Sequence, residues 1–154
     1  MAQPQVLRSF FIPLQGGQAI LPNSSLVEVL PFAAPLKLEN APPWVVGTLL
    51  WRSLNIPLVG LEWLIYDTGP GPGSHARIVM INTFGKDSRL PHFGIMGTTV
   101  PRLINLERTQ IAFDETAESL RPGVLSWVKV NGQRACIPDI DAIEAQLVPL
   151  MYRA

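Results

Sequence analysis

Cys136, His75 and His92 are the complete set of cysteine and histidine in the 154-residue sequence. Together they would be the raw material for a thiol–imidazole nucleophile or for part of a metal site. None stands at the short spacing that structural zinc sites use. Cys136 lies in the apolar run "RACIP" beside Ile137, where a buried, inert thiol is expected. His75 follows the glycine- and proline-rich segment "DTGPGPGSH" and is expected to be solvated. Asp139 and Asp141 are spaced like a carboxylate pair, and capping of a following helix accounts for them without acid–base chemistry. That segment is no phosphate cradle, because Pro70 and Pro72 carry no N–H and no Lys-Ser or Lys-Thr pair follows. Trp44, Trp51, Trp63 and Trp127 read as core or lobe-interface residues. The expectation is a non-enzyme with no catalytic residue, no cofactor and no metal.

Charge excludes further classes. Twelve basic residues balance 12 acidic ones, and the arginines are scattered among carboxylates, so the basic stripe of a nucleic-acid binder is missing. A chain 47% apolar and 16% charged should bury a core rather than stay disordered. A lone cysteine excludes an intramolecular disulfide and fits a reducing, cytoplasmic setting. The start "MAQPQVLRSFF" does not read as a secretory signal. "WVVGTLLWRSLNIPLVGLEWLIY", residues 44–66, is long enough to cross a bilayer, but Arg52, Asn55, Pro57 and Glu62 would each be costly in hydrocarbon. Direct membrane insertion is not expected.

The elements that must position these residues are mostly strands. The stretch 44–66 resolves into Val45–Arg52, a turn near Ser53–Asn55, and Ile56–Leu61. "RSFFIPLQGGQAILP" reads as a hairpin joined at Gly16-Gly17, and "SSLVEVLPF" as a turn and a strand. "LKLENAPPW" suits a loop entering one helical turn. Gly69–Gly73 is the clearest connecting loop and a candidate divider of two lobes. "ARIVMINTF" and "HFGIMGTTVPRLINL" read as further strands, and "VLSWVKVNGQRACIP" as a hairpin on Asn131-Gly132, the best local sequence for a type I′ turn. "DIDAIEAQLVPLM" is a helix with Asp141 and Glu144 in capping-box spacing, an apolar face of Ile140, Ile143, Leu147 and Met151, and Pro149 limiting its length. "IPLVGLEWL" and "IPDIDAIEAQL" form a faint internal echo, each leading from an Ile-Pro strand end toward a short helix.

The segment "ENAPPWVVGTLLWRSLNIPLVGLEWL" resembles the signature region of the CheW-like chemotaxis adaptor family. There an Ala/Pro-rich lead enters a strand ending Asn-x-Arg-Gly and continues to Pro-Val-x-Asp-Leu. Asn40, Pro42, Gly47, Arg52, Pro57, Val59 and Leu61 match in ungapped register. "SSLVEVL" is similar to the family's Val-x-Glu-Ile/Val element and places Leu26 and Glu28 on it. Softer likenesses extend from "RIVMINTFGKDSRLPHFGIMGTTVPRLINL" to "GQRACIPDIDAI". The departures are Leu50 for the asparagine, Ser53 for the glycine after the arginine, Gly60 for the aspartate after Pro-Val, and Thr98 near a second-lobe aspartate. They mark a divergent branch, as expected of an adaptor in a specialised chemosensory system such as one controlling type IV pili.

The resemblance implies a mainly β fold, one CheW-like domain over 1–154 made of two SH3-like five-stranded β-barrel lobes with short helices and a C-terminal helix. It implies a non-catalytic adaptor, cytoplasmic and recruited to membrane-bound receptor arrays, between a chemoreceptor's cytoplasmic tip and the regulatory domain of a histidine kinase. Leu26, Glu28, Gly47 and Arg52 are carried over as partner-binding residues. The alternatives are an SH3-like binding module of an unrelated complex and a small enzyme with a site in a barrel cleft.

Overall fold

The computed structural model describes residues 6–67, 69, 71, 73–87, 89–114, 121 and 123–152. In chain order, β1 (Val6–Leu14) and β2 (Gly17–Pro22) form a hairpin, followed by β3 (Leu26–Pro31), β4 (Val45–Trp51), β5 (Leu54–Val59) and the short helix α1 (Leu61–Tyr66). Then come β6 (Arg77–Asn82), β7 (His92–Gly97), β8 (Arg102–Glu107), β9 (Ile111–Phe113), β10 (Val124–Val130), β11 (Gln133–Pro138) and helix α2 (Ile140–Met151).

These strands make two sheets. The first lobe has six strands in the order β8-β1-β2-β11-β10-β9, and the second has five in the order β3-β6-β7-β5-β4. The two-lobe, mainly β description with a C-terminal helix is therefore what the chain adopts. The sixth strand is the three-residue β9, too short and too exposed to leave a period in the sequence.

The chain reads as two similar halves that exchange their first hairpins. Each half runs hairpin, single strand, second hairpin, helix, with the three-residue β9 added in the second half, but β1–β2 joins the sheet of β8–β11 and β6–β7 joins the sheet of β3–β5. Parallel pairing seals both exchanges, Ala19 opposite Cys136 in one lobe and Leu58 opposite Gly94 in the other. The loop with Gly69, Gly71 and Gly73 thus divides the halves of the chain and not the lobes, because strands on either side of it enter both sheets. Pro70 and Pro72 lie outside the described residues.

This exchange explains the continuous apolar runs. On β1, Phe10, Ile12 and Leu14 enter a core shared by both sheets and both helices, whereas the alternate Phe11 enters the first lobe's own core with Ile20, Leu106 and Val130. On β6, Val79 and Ile81 face the shared core, and Ile78 and Met80 face the second lobe's core with Trp51, Ile56 and Leu58. A strand buried on both faces has no polar side to present.

Several local expectations shift. The first hairpin turns on Gln15-Gly16, with only Gly16 at positive φ (86°), and Gly17 is already in β2. Residues 32–44 contain turns and one bridge, Leu36 to Thr48, but no helical turn. The cap of α2 is Asp139, whose Oδ1 accepts from Ala142 N–H at 3.1 Å; Asp141 is in the first turn and Glu144 is no capping partner. Glu144 is instead buried, and its Oε1 accepts from Asp87 N–H at 3.2 Å, tying α2 to the β6–β7 connection. Pro149 sits inside the last turn, where two more residues still follow before the helix ends.

Candidate partner-binding site

The β4–β5 turn falls on Arg52-Ser53, earlier than the sequence suggests. Both residues are left-handed, φ 49° and 64°, and the flanking pair is Trp51 opposite Leu54, as a two-residue type I′ hairpin requires. Arg52 is thereby thrust out at the tip while Trp51, the last residue of β4, stays buried.

Trp51 holds the site together. Its Nε1–H donates to Glu28 Oε2 at 2.9 Å, although Glu28 is on β3 and Trp51 on β4, the opposite edges of the five-stranded sheet. The sheet is curled enough for its edges to meet through these side chains. The His92 ring stands edge-on to Trp51 with centroids 5.2 Å apart. Arg52 lies over the outer Trp51 face, its guanidinium carbon 4.3 Å from the ring centroid, and its Nη2 is 3.4 Å from the same Glu28 oxygen.

Magnitudes separate structural from available groups. The hydrogen bond from Trp51 to a half-buried carboxylate is charge-assisted and belongs to the stronger class. Arg52 has a side chain 63% exposed, so its ion pair and its ring contact are each worth about 1 kcal/mol or less. Removing it should hardly disturb the fold.

The four residues carried over by resemblance are not equivalent. Glu28 and Arg52 are brought into contact. Leu26 is two positions away on β3, beyond a bulge at Val27, half-buried against the shared core. Gly47 is buried in β4, and a Cβ there would lie 2.3 Å from the Leu36 carbonyl oxygen and 2.9 Å from Pro35 Cβ. Its lack of a side chain lets residues 35–36 dock on β4, where Leu36 and Thr48 exchange two backbone hydrogen bonds of 2.8 Å.

Sequence reasoning missed the exposed leucines along the β4–β5 hairpin, Leu50 and Leu54 at its tip and Leu36 on its edge beside Thr48. Leu36 is 76% exposed, Leu50 77% and Leu54 46%. The alternation of side chains along a strand contained the signal for Leu50, since burying Trp51 turns it outward.

The residues considered for chemistry are dispersed. Cys136 is buried in β11 between Trp127 and Ala19, and burial pushes its thiol up to about 12. His92 packs on Trp51 in the other sheet, and His75 is exposed. Among the described residues no cluster of three or more His, Cys, Asp or Glu could hold a metal ion, and no helix is long and apolar enough to cross a membrane.

Comparison with known proteins bears on the family and the fold. A family model described as the CheW-like domain matches residues 9–147. Among solved structures, the scaffolding protein TtCheW from Thermoanaerobacter tengcongensis superposes with a TM-score of 0.73 at 16% identity, over 90% of this chain and 87% of that one. At that identity the likeness concerns the fold. A search of curated proteins finds no match.

Proposed function

The chain belongs to the CheW-like domain family, and from that premise we propose that it is a non-catalytic adaptor of chemosensory signalling that couples a chemoreceptor's cytoplasmic tip to the regulatory domain of a histidine kinase. The observation that carries the reading is the family match across both lobes, residues 9–147. The dispersed Cys136, His75 and His92 give an enzymatic reading no support.

The proposed contact surface is the tip where Glu28 and Arg52 meet, with Leu26 beside it. Arg52 offers a guanidinium already held by a ring and a carboxylate, so little side-chain freedom is lost when a partner engages it. Gly47 serves the surface indirectly, by letting Leu36 reach β4. The departures at Leu50, Ser53 and Gly60 are the ground for placing the adaptor in a specialised system, one governing type IV pili. Deleting the gene would then abolish twitching and spare swimming.

The direct test is Arg52→Ala. Its melting should stay close to wild type, while binding to the kinase regulatory domain or to the receptor tip weakens by about 1 kcal/mol or more. Calorimetric titration against both partners reads this. Unchanged affinity for both, or a loss that merely follows unfolding, would remove Arg52 from the interface.

A further inference from the structure

A cavity of about 220 Å³ opens between the β1–β2 turn, the start of α1 and the end of β7. Its lining includes Gln15, Glu62, Ala76, Met96, Gly97 and Thr98. Among the described lining residues Glu62 is the only charged one, and it is 3% exposed. The neighbouring Leu61, Leu64 and Ile65 fill the shared core, which fixes α1 and with it the place of Glu62 at the cavity wall.

Among the described residues the hydrogen-bond donor to the Glu62 carboxylate is Gln15 N–H, 2.8 Å from Oε1, and no Lys or Arg forms an ion pair with it. An ionised carboxylate offers about four lone-pair sites. Burial raises the Glu62 pKa above the ordinary carboxylate value, and the Gln15 N–H only partly opposes that. A buried charge without a counter-charge is costly, and here the missing partner has room to enter. The Thr98 hydroxyl donates to the Pro13 carbonyl (3.3 Å), so its hydrogen is not offered to the Glu62 carboxylate.

We infer that this cavity binds a small cationic head group, a guanidinium or primary ammonium on a short apolar tail, with Glu62 as its counter-ion. The N–H groups of such a head occupy the free lone pairs of Glu62, and the tail lies against Ala76 and Met96. This site is on the seam between the lobes and separate from the Glu28–Arg52 tip.

Amide chemical-shift titration of the full chain with n-butylguanidinium tests the inference, with neutral n-butylurea as isostere. Saturable shifts at Gln15, Gly97 and Thr98 are expected at millimolar concentration, as befits so few ligand atoms. Glu62→Gln should weaken binding by about tenfold or more, and butylurea should bind no better than that variant binds the cation. Absence of saturation, equal binding of butylurea, or an undiminished Glu62→Gln response overturns the site. Should Glu62→Gln fail to fold, Ala76→Leu keeps the carboxylate and fills the cavity, so persistence of the same shifts in it overturns the site as well. A blocked arginine, Nα-acetyl-arginine methylamide, separates the sources: tighter binding than butylguanidinium supports a partner's side chain as the ligand, and weaker binding supports a free amine.

Discussion

The two second hairpins, β4–β5 and β10–β11, follow one backbone plan with different residues. Val45 pairs Val59 and a bulge follows before Gly47; Val124 pairs Pro138 and a bulge follows before Ser126. Both turns are two residues at positive φ, Arg52-Ser53 (49°, 64°) and Asn131-Gly132 (50°, 81°). Buried and exposed positions coincide at the turn ends: Trp51 and Val130 are buried, while Leu50 and Lys129 are exposed, as are Leu54 and Gln133. At the turn end of β10–β11 the outward Lys129 and Gln133 are polar and the turn residues suit their backbone, although Leu125 and Phe113 are exposed farther along the same sheet. At that of β4–β5 the outward positions are leucine, and the turn holds an arginine and a serine in a region they populate reluctantly. The β4–β5 tip thus forgoes local stability and solubility that the turn end of its counterpart keeps, the composition expected of the contact surface proposed above.

The largest break in the comparison should come at the bulge. Gly47→Ala would drive a methyl into the Leu36 carbonyl at 2.3 Å, where backbone rather than a flexible side chain must move. We expect a loss of about 2–3 kcal/mol by urea denaturation. The equivalent Ser126→Ala, at a half-buried position that already holds a Cβ, should stay within about 0.5 kcal/mol. Equal effects in the two hairpins would show that residues 35–36 do not depend on Gly47.

How far the sequence carried the fold depends on what each element rests on. Asn131-Gly132 was readable because the dipeptide itself favours positive φ. Arg52-Ser53 carries no such preference, and its turn was misplaced toward Asn55; the register is imposed by burial of Trp51 and by the pairing of β5 with β7. The resemblance placed Arg52 and Glu28 together, but their meeting depends on a curled sheet whose edge strands, β3 and β4, are separated by β6, β7 and β5 in the sheet and by the long 32–44 connection in the chain. The hairpin exchange was not legible either, because parallel pairing of Ala19 with Cys136 leaves no local pattern. The spacing points to Asp141 as the cap where Asp139 holds that place, because capping spacing is degenerate when aspartates alternate.

Second in size is a transplant of surface chemistry. Replacing Leu50 by Lys and Leu54 by Gln gives the β4–β5 hairpin the outward residues of β10–β11. Both sites are exposed, so melting should change little. On the proposed adaptor role, partner affinity should fall about tenfold, about 1.4 kcal/mol, through lost apolar contact. The converse Lys129→Leu should leave affinity unchanged. If the double variant binds as wild type, the exposed leucines are not part of the contact and the contrast between the lobes concerns stability alone.

The smallest effect isolates the turn itself. Ser53 at φ 64° carries the left-handed cost of a residue with a Cβ, about 1–2 kcal/mol. Glycine removes that cost but adds unfolded-chain entropy of about 0.4–1 kcal/mol. The steric term is the larger, so Ser53→Gly should stabilise the protein by about 0.5–1 kcal/mol, seen as a higher urea midpoint at constant slope. Gly132→Ser, the mirror substitution in the other lobe at φ 81°, should cost a similar amount. Arg52 keeps its place over Trp51 in Ser53→Gly, so partner binding should survive the change, and that separates a strained turn from a contacting one. A Ser53→Gly protein no more stable than wild type would mean that neighbouring contacts already absorb the strain, and the two turns would then differ in sequence without differing in energy.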